Sequence, residues 1–445
     1  MYKYYDSFIS DLTGLLQIPS VLDEYKPENV SEPFGKDIRK ALDYILKLGK
    51  KDGFKVKNID NYAGYIEYGT GSEMLGVLCH LDVVPVGKAD EWKYPPFSAT
   101  IEDGYIYARG SSDDKGPSMA AYYALKRIKD ENIKINKRIR LIFGCDEESG
   151  SRCMDKYLEK EEIPTMSFVP DAEFPLIFAE KGIASFGFKG RCLDNGLISF
   201  KSGIRLNVVP DEATAKISID LEDKFKMFLE EEKVTGKVVG NEYTIIGKTA
   251  HGSMPFLGVN AASLLVKFLN KYIDNDYLKF VEKYFTFDDF GHKLNINCYD
   301  DEMKDLTINP ALFTYGDGEF FVASNIRYPK NFNYEEKMKE LKALALELGY
   351  EFIEYSNSPY LYVDRNSFLV KTLLSAYQKY TNDFNNGPIS IGGGTYARHF
   401  SNAVAFGMQF PGTIDEAHQR NEKVSIESLL KAMDIYYEAM KNLCV

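Results

Sequence analysis

The residues of this chain best suited to chemistry fall in five short runs. They are His80-Leu81-Asp82-Val83-Val84-Pro85, Arg109-Gly110-Ser111-Ser112-Asp113-Asp114-Lys115-Gly116, Asp146-Glu147-Glu148-Ser149-Gly150, Pro170-Asp171-Ala172-Glu173 and Ala417-His418-Gln419. Imidazoles and carboxylates hold divalent cations and move protons beside them. His80 and Asp82 stand two apart at the end of an apolar run, so on extended backbone both face one side. A metal-bound imidazole is usually oriented by a carboxylate on its other ring nitrogen, which makes His80 a ligand candidate and Asp82 its orienter. Asp113-Asp114 follows small polar residues and precedes a helix. A carboxylate there can bridge two cations, or simply cap the helix. In Glu147-Glu148 the two side chains diverge, so one can bind metal while the other faces a water that the metal makes acidic. Asp171 and His418 complete a set of three carboxylates and two imidazoles, with one carboxylate shared. That donor mixture suits Zn²⁺, and Mn²⁺ or Co²⁺ are alternatives.

Each of the first four runs stands at or just after an expected strand end, where an open α/β sheet presents its site residues. Leu75 to Cys79 is a short apolar run, read as a buried strand ending at His80. Arg138 to Phe143 is the next strand and leads into Asp146, and Met166 to Val169 leads into Asp171. Between them lie helical patterns: 36–51, with Ile38, Leu42, Ile45 and Leu46 on one face and Gly53 as a stop, and a helix starting near Pro117 and running to about Asp130. Alternation of strand and helix predicts an α/β domain with a mostly parallel sheet covered by helices on both faces.

The middle of the chain reads differently. Thr214 to Leu221 and Glu242 to Ile246 alternate with period two, as half-exposed strands do. Helical patterns follow at about 259–273 and 335–348, with a strand at Phe321 to Arg327 between them. This predicts an α+β lid domain, residues 184–357, interrupting a catalytic domain made of residues 1–183 and 358–445. The last stretch returns to the first style, with a helix at about 365–380, a glycine turn at Gly392-Gly393-Gly394, a strand at Ala403 to Phe406 and a helix from about 425.

Composition narrows the function classes. With 445 residues the chain has room for two or more compact domains. A formal net charge of -12 and the lack of a long Lys/Arg run speak against tracking a phosphate backbone, so no nucleic-acid partner is expected. Met1-Tyr2-Lys3-Tyr4-Tyr5-Asp6 lacks the form of a signal peptide, and no apolar stretch of about 18 residues marks a membrane span. The six cysteines form no CxxC pair and are expected to stay as free, mostly buried thiols in a reducing cytoplasm.

The runs HLDVVP, RGSSDDKGP, GCDEESG, VPDAEFP and AHGSMPFLGVNA, with the late His418, resemble the two-metal metallopeptidase family of glutamate carboxypeptidases, aminoacylases and desuccinylases. PDAEFP, RLNVVPD, IRYP and IGGGTYAR look most like its bacterial PepV-type, carnosinase-like dipeptidase branch. The likeness spans residues 8–440 in order. It implies that His80 and Asp171 hold one metal and Glu148 and His418 the other, with Asp113 bridging and Asp82 orienting His80. It makes Glu147 the general base and then the proton donor to the leaving amine. It gives His251 the tetrahedral oxyanion, and Asn207, Arg327 and the Gly393-Gly394 turn the substrate carboxylate. It implies a cis peptide between Asp113 and Asp114, and a lid hinged near Gly182 and Ser358.

These readings together predict a metal-dependent dipeptidase acting on unblocked dipeptides. Because the insert is long, the enzyme is expected to work as a monomer. One rival is an N-acyl-amino-acid deacylase on the same scaffold. It differs in needing no acceptor for a free ammonium, a role Asp171 or Glu173 could fill. A non-catalytic metal- or peptide-binding protein is the other rival, and the presence of Glu147 speaks against it.

Overall fold

A computed structural model describes residues 3–193 and 195–445; Met1 and Tyr2 of the N-terminal stretch, and Asp194, lie outside it. The chain divides into two compact units. The first comprises Met1–Ala179, Tyr362–Ile389 and Gly394–Val445, and the second Glu180–Leu361 with Ser390–Gly393.

The first unit is built on a mixed sheet whose middle is parallel. Strand Met74–His80 runs parallel to Arg138–Gly144 on one side and to Met166–Val169 on the other, and Ala403–Ala405 continues the parallel set. Antiparallel strands Ala63–Tyr68 and Lys55–Ile59 finish one edge, and Ile177–Glu180 lies antiparallel to Ala403–Ala405 near the other. All seven residues of Met74–His80 are buried. That explains its unbroken apolar character, since a strand covered on both faces has no wet side to mark with polar residues.

Helices cover both faces. On one, Leu42 and Leu46 of helix Lys36–Lys51 lie against Gly64, Tyr122 of helix Lys115–Asp130 meets Phe54, and Tyr436 of helix Ile426–Cys444 stacks on Phe168. On the other, Tyr157 of helix Arg152–Lys160 receives a hydrogen bond from Arg140 at 2.9 Å, while Met154 and Tyr396 crowd Gly144. The expected α/β architecture with a helix-covered sheet is therefore present, but the sheet is mixed rather than mostly parallel, because antiparallel strands extend its parallel middle on both sides.

Register brings the chemistry together. His80 pairs with Gly144 in the parallel ladder. The run after Gly144 therefore emerges beside His80, at the carboxyl ends of the strands. A small antiparallel sheet, in which Lys423–Ser425 pairs with Tyr105–Tyr107, draws the late part of the chain against the loop that carries Asp113.

The second unit is an antiparallel sheet of eight strands, in the order 235–239, 242–246, 212–217, 197–202, 307–316, 319–328, 182–191 and 351–358. Helices Glu222–Glu232, Ala261–Leu269, Asp276–Tyr284 and Tyr334–Glu347 accompany it around a core rich in phenylalanine and tyrosine. The period-two pattern at Thr214 to Leu221 outruns its strand, which ends at Ile217. There the main chain turns, and the Leu221 N–H donates to the Tyr243 hydroxyl at 2.8 Å, ahead of helix Glu222–Glu232. The long helical pattern at 259–273 is cut to Ala261–Leu269, with Asn260 capping it through the N–H groups of Ala262 and Ser263. No helix among the described residues is long and apolar enough to cross a membrane.

Candidate active site

The loop after Tyr105–Tyr107 has a shape only glycine permits. Gly110 has φ of +85°, and a Cβ on Gly116 would stand 2.0 Å from the carbonyl oxygen of Ser111. The loop folds tightly onto the first turn of helix Lys115–Asp130 and delivers Asp113 to the strand ends. The Asp113–Asp114 peptide is cis, as is Phe174–Pro175. Asp114 stands at the helix N-cap but caps nothing. Its carboxylate instead accepts the main-chain N–H of His80 at 3.0 Å and the Ser118 hydroxyl at 2.8 Å. The helix-capping alternative is thus excluded for Asp114, whose carboxylate ties the Asp113 loop to the His80 strand.

Around Asp113 the structure gathers five of the sequence candidates. Asp113 Oδ1 lies 2.9 Å from His80 Nε2, and its Oδ2 lies 3.0 Å from His418 Nε2. Asp171 Oδ2 is 3.3 Å from His80 Nε2, and Glu148 Oε2 is 3.1 Å from His418 Nε2. Two imidazoles, each facing a carboxylate of its own, share a third carboxylate that gives one oxygen to each. His80, Asp113 and Glu148 place one ligand atom apiece within 4.8 Å of one another, a spacing a divalent cation can span. Two nitrogens and three carboxylates also fit Zn²⁺ or Mn²⁺ by chemistry.

Electrostatics follow from this crowding. Burial opposes charge on Asp113, yet the two imidazoles hold its carboxyl well below the usual carboxylate range. Hydrogen bonds to Asp113 and Glu148 push His418 up to about 11. Burial opposes charge on His80 as well, but Asp113, Asp171 and Asp82 hold it well above the ordinary histidine value. Burial raises Asp171 and Glu148. Glu147 is only half-buried by surface area but is densely surrounded, and that desolvation pushes its carboxyl well up, with His80, Asp171, Glu148 and Asp113 as its charged neighbours.

Asp82 does more than stand behind His80. The His80 Nδ1 lies 2.9 Å from the Asp82 main-chain carbonyl and 3.6 Å from its carboxylate. The carboxylate accepts the main-chain N–H groups of Glu147 and Glu148, each at 3.1 Å. Two further carboxylates brace the loops around the site. Asp146 takes two bonds of 2.6 Å from the Arg152 guanidinium and closes the loop that carries Glu147. Glu422, fully buried, accepts from Arg109, Gly110 and Ser112. Nothing in the local sequence around Glu422 marks it, because its partners are far away along the chain.

The remaining candidates, Gly394 apart, belong to the second unit. The Asn207 carbonyl accepts the N–H of Gly252 at 2.7 Å, and Val208 bridges to His251. The His251 Nδ1 accepts the Ser253 main-chain N–H at 3.2 Å, with the Ser253 hydroxyl 2.7 Å away. An accepting Nδ1 leaves the proton on Nε2, so His251 presents an N–H donor. Burial, and then Arg327, lower its pKa and favour this neutral form. Arg327 is buried and held by Asn325 at 2.8 Å and the Gly392 carbonyl at 2.7 Å. Gly392 lies against Ser253, where a Cβ would stand 2.8 Å from the serine's own. Gly393 belongs to this unit and Gly394 to the first.

Comparison with known proteins is consistent along the whole chain. The model of "Peptidase family M20/M25/M40" matches residues 76–442. A protein of Staphylococcus aureus strain USA300, named "Putative dipeptidase", is 41% identical over 464 aligned residues, covering 100% of this chain and 98% of its own length. Among solved structures, an M20 family metallo-carboxypeptidase from Sulfolobus solfataricus superposes with a TM-score of 0.59 at 21% identity, covering 99% of both chains. Human carnosine dipeptidase 1 gives 0.57 at 13% identity, covering 99% of this chain and 96% of its own.

Proposed function

The chain belongs to peptidase family M20/M25/M40, a hydrolase acting on peptide bonds, and from that premise we propose that it is a two-metal dipeptidase cleaving unblocked dipeptides. One observation carries the reading: Asp113 offers one carboxylate oxygen to each of two imidazoles, 2.9 Å and 3.0 Å away. A carboxylate so placed would serve two cations. His80 and Asp171 would hold the first, Glu148 and His418 the second. Zn²⁺ is the cation proposed, with Mn²⁺ and Co²⁺ as alternatives. Cations held there would supply Lewis acidity toward the scissile carbonyl and lower the pKa of an attacking water.

The chain's own residues do the rest. Glu147 takes a proton from the water and returns it to the leaving amine. Its desolvation suits this double task, because a carboxyl raised well above its ordinary value is a better base and a usable acid. His251 donates its Nε2–H to the tetrahedral oxyanion, a contact strongest in the transition state. Arg327 and Asn207, with the Gly393-Gly394 turn, bind the substrate's terminal carboxylate; a guanidinium does this bidentately. Asp171 or Glu173 would accept the free ammonium. The whole-length relative named as a dipeptidase supports this choice of substrate.

Every proposed ligand lies in one unit of a single chain, and we propose a monomer as the working form. Free thiols at Cys79, Cys145, Cys153, Cys298 and Cys444 support a reducing, cytoplasmic setting. The substrate assignment is tested by product analysis on free dipeptides, their N-acetylated forms and tripeptides. Cleavage of the free dipeptides alone supports the dipeptidase. Preferred release of acetate from the blocked forms would make the chain a deacylase. Mixing His251→Ala protein with Glu147→Ala protein tests the monomer, because recovered activity would mean that chains complement one another.

A further inference from the structure

We infer that Glu422 and Arg109 are positioning residues for the metal centre, one buried ion pair setting both the shared ligand Asp113 and the late-sequence ligand His418. The inference rests on the two-metal reading above. Arg109 is 2% exposed and Glu422 fully buried, and their Nη1–Oε2 distance is 2.7 Å. Glu422 Oε2 also accepts the N–H of Gly110 at 3.1 Å. Its Oε1 accepts the N–H of Ser112 at 2.9 Å, the Ser112 hydroxyl at 3.1 Å and, more weakly, the N–H of Asp113 at 3.4 Å. A single carboxylate thus fixes the main chain on which the Asp113 side chain is carried.

Arg109 extends the device to the other side. Its Nη2 reaches the carbonyl of His418 at 3.4 Å and that of Pro85 at 3.5 Å, and its guanidinium lies 5.1 Å from the Trp92 ring centre. His418 needs such a hold, for its φ is +61°, a conformation costly for a residue with a Cβ. Glu422 is itself fixed, because its carbonyl accepts the N–H of Ala108 at 3.1 Å beside the pairing of Lys423–Ser425 with Tyr105–Tyr107. Stability alone gives little reason for charges here, since a buried ion pair is often no better than well-packed apolar residues of the same volume. What an apolar pair could not do is accept three N–H groups and donate to the carbonyl of His418.

The test is metal affinity, read separately from activity and from folding. Metal-stripped wild type and E422Q are titrated calorimetrically with Zn²⁺, and the visible spectrum is followed with Co²⁺. The amide of E422Q keeps the shape but cannot accept at both ends. The weaker of the two cation affinities should fall about 10- to 100-fold, the usual effect of losing a partner that orients a ligand. The Co²⁺ spectrum should change with it. E422D, which restores the charge opposite Arg109 one methylene short, should recover part of the affinity. A merely structural role lowers the melting temperature of metal-free protein but leaves the affinity of the folded protein at the wild-type value, and that result would overturn the proposal. If E422Q does not fold, E422D is read by the same titration against the same two outcomes. Failure of both to fold would assign the pair to stability and overturn the proposal equally. Wild type that takes up only one cation would instead contradict the two-metal reading itself.

Discussion

Asp82 Oδ1 accepts the main-chain N–H of Glu147 at 3.1 Å, so the residue behind the His80 imidazole also fixes where the general-base candidate leaves the loop. Its second oxygen does the same for Glu148. Asp82→Ala therefore removes support from two functions together. We expect metal affinity to fall about 10- to 100-fold, as for other residues that orient ligands, and kcat to stay low even when cation is supplied in excess. Metal content after dialysis and kcat at saturating metal check the two halves. Full recovery of kcat by excess metal would confine Asp82 to orienting His80.

Glu147 and Glu148 should separate cleanly. Glu147→Ala is expected to keep both cations and lose at least about 10²-fold in kcat, the worth of a positioned general base. Glu148→Ala is expected to lose cation, because its carboxylate faces His418 at 3.1 Å. Elemental analysis of the two dialysed proteins decides; exchanged phenotypes would reverse the assignment within the pair.

Metal loading should release protons. With no cation present, hydrogen bonds to Asp113 and Glu148 hold His418 up to about 11, and His80 is also raised. Both imidazoles are then protonated near neutrality, whereas a cation needs them unprotonated. Affinity should accordingly rise with pH throughout the range below about 11 set by His418. Calorimetric titration in two buffers of different ionisation enthalpy reads the proton count. No net release at pH 7 would contradict the arrangement.

Arg327→Ala is expected to raise KM for dipeptides at least about 10-fold, the scale of a lost charge-assisted bidentate contact, with metal content unchanged. Arg327→Lys should rescue little, because an ammonium cannot reproduce the fork that Asn325 and Gly392 hold in place. Steady-state kinetics beside metal analysis checks this. Lost metal in Arg327→Ala would show that the residue acts through the fold rather than on substrate.

How much of this was legible in the sequence depended on the distance over which each signal acts. The strand ending at His80 and the helix Lys36–Lys51 were readable because an apolar run or a helical stripe is local. Helices Glu222–Glu232 and Asp276–Tyr284 were not, since the first is rich in charged residues and the second lies beyond the 259–273 pattern, where no element was expected. In the candidate site, the ligand types were visible in short runs. The resemblance supplied their division between two cations, because no spacing along the chain says that His418 faces Glu148. Glu422 escaped notice for a similar reason: its meaning lies in the N–H groups of Gly110 and Ser112, which only folding brings to it. The use of the Asp82 carboxylate on Glu147 and Glu148, where a contact to His80 alone was expected, is likewise a matter of three-dimensional approach.

The central claim is that one carboxylate, Asp113, serves two cations in a single catalytic site. The direct test is to strip the enzyme of metal, add back Zn²⁺ or Mn²⁺ in measured equivalents, and follow hydrolysis of an unblocked dipeptide at each step. The account predicts no activity in the stripped protein, full activity only as the second equivalent per chain is bound, and no such recovery in Asp113→Ala. Full activity reached at one equivalent, or an Asp113→Ala enzyme that recovers with metal, would contradict it.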